Sequence, residues 1–115
     1  MTVIKQDDLI QSIADALQFI SYYHPTDFIR AMRGAWEKEE SPAAKAALTQ
    51  VLVNSRMCAI GKRPICQDTG IVNVLVSVGM DVQWDADMAF EDMINEGVRR
   101  GYTHPDNVLR GSVLA

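Results

Sequence analysis

The sequence has no long apolar run, no block of like charge and only two cysteines among its 115 residues. No stretch approaches the roughly 20 apolar residues that a membrane-spanning helix needs, and no basic segment followed by an apolar one marks a secretory leader. The formal net charge is −4. Because no basic stripe is present to neutralise phosphates, a nucleic acid is an unsuitable partner. We therefore expect a cytoplasmic protein with neither membrane nor nucleic-acid partners.

Compact metal and nucleotide motifs are also missing. The sequence has no C-x-x-C, no H-E-x-x-H, no P-loop and no G-x-G-x-x-G. Cys58 and Cys66 are the two cysteines, and in a reducing compartment free thiols or metal thiolates are favoured over a disulfide. His24 and His104 each precede a proline, which is more typical of a turn or cap residue than of a metal ligand. A zinc site is not indicated.

The length is sufficient for one domain, so a single domain over residues 1–115 is predicted. The last residues, 108–115, become apolar again without a cap or a polar tail. That ending is typical of a fragment of a longer protein, although a short terminal strand has the same pattern.

Four helices are predicted from apolar residues that recur at three- and four-residue steps. They cover about 8–22, 25–39, 42–60 and 86–100, with Asp7 or Asp8, Ser41 and Asp85 as capping residues and Gly61 and Gly101 as terminators. The interior faces are predicted to carry Leu9, Ile10, Ile13, Leu17 and Ile20 in the first helix; Phe28, Ile29, Met32, Ala35 and Trp36 in the second; Ala44, Ala47, Leu48, Val51, Ser55, Cys58 and Ala59 in the third; and Ala89, Phe90, Met93, Ile94, Gly97 and Val98 in the fourth.

Residues 71–78 are rich in β-branched side chains and are predicted to form a strand. A turn at 79–81 and a short return strand at 82–84 are expected to follow. The predicted fold class is therefore α+β: helix-rich, with about four helices and one or two β-strands after the loop that contains Cys66.

The residues with the most chemical capability lie in the loop 63–70, between the third helix and this apolar run. Pro64 restricts the backbone before it, so Cys66, Gln67 and Asp68 sit on a stiffly entered loop. A thiol, an amide and a carboxylate side by side can ligate a metal, orient a substrate and move a proton. The alternative is that Cys66 is a small buried hydrophobic residue and the rest is a turn. Cys58 falls on the apolar side of the third helix and is interpreted as core.

A second polar cluster covers residues 104–112. Arg110 stands between apolar residues and just before Gly111, where its guanidinium can reach a carboxylate. A surface salt bridge is the alternative interpretation.

Three stretches of the sequence, 54–58, 63–72 and 106–113, resemble those of the iron–sulfur-dependent class I fumarate hydratases. They include most of the two polar clusters described above. Residues 20–25 also look like the N-terminal region of those enzymes, so the resemblance extends over essentially the whole chain. The Cys-Gln-Asp-Thr-Gly pentapeptide at 66–70 is specific to this group of hydro-lyases. It is shared with the related L-tartrate dehydratases and mesaconate hydratases.

The resemblance implies a [4Fe–4S] cluster held by three cysteines, with one iron left open for substrate. The resemblance implies that Cys66 is one of the three ligands. It implies that Gln67 and Asp68 lie in the substrate site, with Asp68 as a candidate for proton transfer. It also implies that Arg110 and Gly111 contact the substrate carboxylate. Fumarate and malate are the implied dicarboxylate substrates. The rest of the same enzyme and further copies of it, as a homodimer or another homo-oligomer, are the implied partners.

The family enzymes are several times longer than this chain, and their other two cluster ligands lie beyond its last residue. We therefore expect the isolated chain to bind no cluster and to be inactive. A non-catalytic helical interaction domain, in which Cys66 is core, is the alternative from another functional class.

Overall fold

A computed structural model describes residues 1–66 and 69–109. The described elements are, in order, strand β1 (Thr2–Lys5), helix α1 (Gln6–Tyr22), helix α2 (Thr26–Lys38), helix α3 (Pro42–Gly61), strand β2 (Val82–Asp85) and helix α4 (Phe90–Thr103). The predicted helix-rich α+β fold is confirmed. None of the described helices is both long enough and apolar enough to cross a membrane.

The described chain divides into two compact units. The described part of the first unit covers residues 1–18 and 69–109, and its two strands pair in parallel, with Thr2 opposite Val82 and Lys5 opposite Asp85. Strand β1 was not predicted, because four residues at the start of the chain are too few to show a period. The strand predicted at 82–84 is confirmed, but it pairs with β1 instead of returning along the preceding segment.

The core of the first unit lies between α1 and α4. Ile10, Leu17 and Met93 are buried there. Gly97 and Gly101, one helical turn apart, face α1, where a Cβ on Gly97 would approach the Cβ of Ile13 to 2.7 Å. Glycine at these positions allows the two helices to approach closely. The prediction that Gly101 ends α4 is wrong, because the helix runs on to Thr103 and Gly101 serves as a packing residue.

Two other predictions for the first unit are wrong. Asp85 does not cap α4, because it pairs with Lys5 in the sheet and the helix begins only at Phe90. Residues 71–78 form no strand, because none of the described residues pairs with them and most of their side chains are exposed. A β-branched sequence favours extended backbone, but a strand also needs a neighbour to bond.

The described part of the second unit covers residues 19–66, and α2 packs beside α3 within it. The Trp36 indole N–H donates to the Thr49 hydroxyl at 2.8 Å, and the Lys45 ammonium lies 4.2 Å from the Trp36 ring centroid. The predicted interior face of α2 is less buried than expected, since no residue of this helix is fully buried.

The start of α3 agrees with the sequence. The Ser41 hydroxyl accepts from the Ala44 N–H at 3.5 Å, and Pro42 occupies the first turn. The end differs from the prediction by one residue: the left-handed residue is Lys62, with φ of 49°, and not Gly61. On α3 only Ser55 and Cys58 are buried, so fewer residues of the predicted interior face are buried than expected. Val51 on α3 and Ile20 on α1, both predicted to face the interior, are exposed.

Candidate functional site

Cys66 lies on the loop that follows α3, and its side chain is exposed. The left-handed turn at Lys62 redirects the chain out of the helix, and Pro64 stiffens the backbone that follows. The structure therefore excludes the interpretation of Cys66 as a buried hydrophobic residue. A thiol in this position is accessible to a metal or to a reagent.

Two hydrogen bonds hold the residue just before Cys66. The Ile65 N–H donates to the Ser21 carbonyl at 2.9 Å, and the Ile65 carbonyl accepts from the Asn54 side-chain amide at 3.0 Å. Both backbone groups of Ile65 are therefore fixed, one to the end of α1 and the other to α3. Because the chain reaches Cys66 from this anchored peptide, the position of its Cα is set by the helices.

Cys58 lies beneath the same loop and is only 4% exposed, so its interpretation as core is confirmed. Its thiol lies 3.4 Å from the Pro64 carbonyl and 3.6 Å from the Asn54 side-chain oxygen, distances at which a weak S–H donor can bond either. Cys58 thus supports the loop from inside and Cys66 faces outward. The two cysteines are free thiols.

His24 belongs to the same unit and serves a structural purpose. Its Nδ1 lies 2.9 Å from the hydroxyl of Ser55, which is 7% exposed, and its ring stacks on Phe28 at 4.4 Å between centroids. A polar hydroxyl that is nearly buried needs a partner, and His24 supplies it. The sequence predicted a turn or cap residue at this position, and the contacts observed for His24 are those with Ser55 and Phe28.

The segment after α4, residues 104–109, is also anchored by side chains. Gln18 donates to the Gly101 carbonyl at 2.8 Å and accepts from the Val108 N–H at 3.2 Å. Asn107 donates to the Tyr102 carbonyl at 3.0 Å and accepts from the Leu109 N–H at 2.8 Å. These bonds fix the backbone up to the residue that precedes Arg110.

His104 initiates the turn in this segment, as predicted. Its Nδ1 accepts from the Asp106 N–H at 3.0 Å, and its carbonyl accepts from the Asn107 N–H at 3.0 Å. A ring nitrogen that accepts from the backbone is already engaged, so His104 is a turn residue.

Four of the residues predicted for the site lie outside the described part of the chain: Gln67, Asp68, Arg110 and Gly111. Their predicted functions therefore remain predictions. Among the described residues no group of three or more His, Cys, Asp or Glu side chains is arranged to hold a metal ion. Cys66 is accordingly a single candidate ligand.

The clearest electrostatic perturbation lies away from these loops, on α4. Hydrogen bonds from the Arg99 and Arg100 guanidinium groups lower the pKa of Glu96 to about 2, and the same carboxylate raises the pKa of Arg99. The Arg99–Glu96 contact is 2.7 Å at a spacing of three residues. It stabilises the surface of the helix and is not a catalytic arrangement.

A cavity of about 290 Å³ lies where β1 and β2 end, among residues 5–8 and 85–87. Its lining carries four carboxylates, on Asp7, Asp8, Asp85 and Asp87, and a single cation, Lys5. A dicarboxylate would be repelled there. Strand ends in parallel sheets often bind ligands, but this cavity does not have the charge that the predicted substrate needs.

Three positioning residues were not identified from the sequence: Asn54, Gln18 and Asn107. Each has an amide side chain and lies on or beside a helix. Each forms hydrogen bonds with backbone groups that are distant in the sequence or on a neighbouring turn. The sequence contains a partial signal for Asn54, which lies one turn before Cys58 on α3. Nothing in the pattern distinguishes Gln18 from an exposed helical glutamine, because its partners lie about 83 to 90 positions later.

Comparison with known proteins gives two findings. The sequence profile of the family described as fumarate hydratase (Fumerase) matches residues 10–115. A protein of Methanocaldococcus jannaschii, provisionally named the alpha subunit of an L(+)-tartrate dehydratase, is 27% identical over 88 residues. That match covers 76% of this chain and 31% of the relative. The chain thus spans about a third of the length of the curated relative that it matches.

Proposed function

The chain belongs to the fumarate hydratase family, and from that membership we propose that it is the N-terminal part of an iron–sulfur hydro-lyase that interconverts fumarate and (S)-malate by reversible hydration. The observation that carries the proposal is the outward-facing thiol of Cys66 on a loop whose preceding peptide is held at both ends. Family membership supplies the reaction class, and the loop supplies a residue able to serve it.

The exposed thiol of Cys66 fits one corner of a [4Fe–4S] cluster. Cysteine thiolate is the usual protein ligand of such clusters, and a ligand must be accessible and held in place. Cys66 meets both conditions, whereas Cys58 is enclosed beneath the loop. In the proposal Cys66 is one of three ligands, and the other two come from the part of the full-length polypeptide beyond this chain.

When bound, the cluster supplies the Lewis acid for the hydroxyl that is added to one carbon of the double bond. Asp68, two residues after the ligand, exchanges the proton of the neighbouring carbon. Gln67 has a donor and an acceptor with which to orient the substrate. Arg110 grips a carboxylate with its planar fork, and Gly111 leaves room for that carboxylate to approach the backbone.

The anchoring of the two loops supports these assignments through positioning. Asn54 and Ser21 fix the peptide that precedes Cys66, and Gln18 and Asn107 fix the backbone that precedes Arg110. Catalytic groups held by rigid elements lose less freedom when the substrate binds, which lowers the barrier of the reaction.

A second candidate is dehydration of L-tartrate. The Methanocaldococcus jannaschii relative carries that activity in its name, and tartrate and malate differ by one hydroxyl on a four-carbon diacid. Mesaconate, which adds a methyl group to fumarate, is the third substrate to consider. The groups that sense these differences are proposed to lie outside the chain.

The test uses the full-length polypeptide. Cys66→Ser is expected to abolish both cluster binding and turnover, with iron content and visible absorbance as readouts that do not depend on activity. Cys58→Ala is the matched control, since it removes the other thiol without removing the proposed ligand. Equal iron content in wild type and Cys66→Ser would overturn the assignment. Turnover measured on fumarate, L-tartrate and mesaconate identifies the substrate.

Assembly is proposed to involve the remainder of the same enzyme and a second copy of it. Sedimentation of the full-length protein tests the homodimer directly. A monomer that retains full activity would remove that part of the proposal.

A further inference from the structure

Residues 71–78, named here the 71–78 segment, are uncharged and mostly apolar and yet lie at the surface. Leu75 is 98% exposed and Ile71 is 83% exposed. In a folded protein an exposed leucine alone needs no explanation, but a mostly apolar, uncharged segment of this length at the surface normally has a partner.

Exposure alternates along the segment. Val74, Val76 and Val78 are between 42% and 49% exposed, whereas Ile71 and Leu75, at the alternate positions, are 83% and 98% exposed. Among the described residues, no backbone hydrogen bond involves the 71–78 segment. One side of the segment is therefore partly covered, and the other side is largely open.

The composition of the segment is that of an interior strand. Strands at the edge of a sheet are normally protected by charges, proline or a bulge, because unpaired backbone groups otherwise recruit another chain. The 71–78 segment has no charge and no proline, and its only polar side chains are Asn73 and Ser77. Near-continuous β-branched runs are typical of strands that are covered on both faces.

Among the described residues, the sheet of the first unit has two strands. Strands β1 and β2 form a two-stranded parallel pair, which is marginal without further strands or a covering layer. The 71–78 segment leads directly into β2 through a turn, in which the Val82 N–H donates to the Gly79 carbonyl at 3.2 Å. More sheet is therefore expected in the complete protein.

The matched relative is much longer than this chain, and the match covers only 31% of its length. We propose that the 71–78 segment is an interior β-strand in the complete protein, and that its neighbouring strand and the layer over Leu75 are supplied by the part of the full-length polypeptide that follows this chain. The proposal does not depend on which reaction the enzyme catalyses.

Hydrogen exchange of the full-length protein, followed by mass spectrometry, tests the proposal. The amides of the 71–78 segment are expected to exchange at least about 100-fold more slowly than in an unfolded chain, because an interior strand opens only with the structure around it. The protection is expected to be independent of protein concentration. In the 115-residue chain the same amides are expected to exchange at close to the unfolded rate.

Leu75→Lys and Met80→Lys form a matched pair of variants. Both residues are fully exposed here, at 98% and 103%, but Met80 lies in the turn after the segment. In the full-length protein Leu75→Lys is expected to lower the protection at least about tenfold, since a charge cannot be buried unpaired. Met80→Lys is expected to leave the protection unchanged. If Leu75→Lys does not fold, Leu75→Ala provides the milder comparison, with the same direction expected.

Three results would overturn the proposal. The first is exchange of the 71–78 segment at the unfolded rate in the full-length protein. The second is protection that is lost on dilution, which identifies a second copy as the partner. The third is an equal effect of Leu75→Lys and Met80→Lys on the protection of the segment, which would mean that Leu75 stays at the surface in the full-length protein.

Discussion

At the scale of single residues, the two cysteines differ in exposure because of the contacts that each one makes. Cys58 is enclosed by its helix and by the loop above it, and Cys66, eight positions later, is outside. Both are the same residue type, so residue type alone left both interpretations of Cys66 open. The left-handed turn at Lys62 and the bonds to Ile65 decide between them.

This difference predicts selective modification. Iodoacetamide added to the native chain is expected to alkylate Cys66 at least about tenfold faster than Cys58, because accessibility limits the reaction of a buried thiol. Peptide mass spectrometry assigns the site, and Cys66→Ser is the control, in which rapid labelling should disappear. Equal labelling of both thiols would contradict the described burial.

Asn54 is the residue with the greatest expected effect on the position of Cys66. Asn54→Ala removes the donor to the Ile65 carbonyl, and the loss of such a bond costs about 1 kcal/mol of unfolding free energy. The Ile65 amide is also expected to exchange faster, since its bond to Ser21 loses support. Asn95→Ala on α4 is a suitable control, because it makes the same change of helix propensity at an exposed position. Similar effects of the two variants would show that the Asn54 bond contributes nothing.

At the scale of secondary structure elements, small residues govern how α1 and α4 meet. Gly97 and Gly101 are read from the sequence as an interior position and a terminator, but both lie against α1. A periodic pattern identifies which face is apolar, and it does not reveal how close the next helix comes.

Gly97→Ala and Gly34→Ala are expected to have opposite effects. A Cβ on Gly97 would lie 2.9 Å from the Ile10 carbonyl oxygen, so the helices must separate, at a cost of about 1–3 kcal/mol. Gly34 on α2 has nothing within 4 Å of an added Cβ, and alanine there is expected to stabilise by about 0.5–1 kcal/mol. Urea denaturation measures both changes. A neutral Gly97→Ala would mean that α1 and α4 are not in close contact.

Glu96 predicts a pH dependence on α4. Because its pKa in the folded chain is lowered to about 2 from the ordinary 4.5, its contribution to stability is present above pH 4.5 and is lost as the pH falls towards 2. Wild type is expected to be more stable than Glu96→Gln at neutral pH, with the difference disappearing across that interval. Urea midpoints measured at several pH values test the sign, and high salt should reduce the difference. A difference that grows in acid would contradict the assignment.

At the scale of the whole molecule, the chain has one of the three cluster ligands that the proposed function requires. The described residues contain no group of three His, Cys, Asp or Glu side chains arranged for a metal. Anaerobic reconstitution of the 115-residue chain with iron and sulfide is therefore expected to yield no stable visible absorbance from an iron–sulfur cluster. The full-length protein treated in the same way is the control. A stable four-iron cluster on the chain by itself would refute the expectation.

The helices show how much of the fold follows from the sequence. Apolar spacing, a capping serine and prolines at helix starts located all four helices, with α3 beginning at Pro42 as predicted. These signals are local, and each involves residues within one or two turns. The start of α4 was displaced because Asp85 pairs with Lys5 in the sheet, a contact that local signals do not contain. The end of α3 differs by one residue, because Lys62 adopts the left-handed conformation at the cap.

The sequence by itself determined the helix-rich α+β class, the core assignment of Cys58 and the family to which the loop 63–70 belongs, because all of these depend on residue types at short spacings. Only the tertiary structure decided that Cys66 faces outward, that β1 pairs in parallel with β2, and that residues 71–78 remain without a strand partner among the described residues. Exposure and pairing depend on which distant segments arrive beside a residue, and a pattern along one chain does not contain that information.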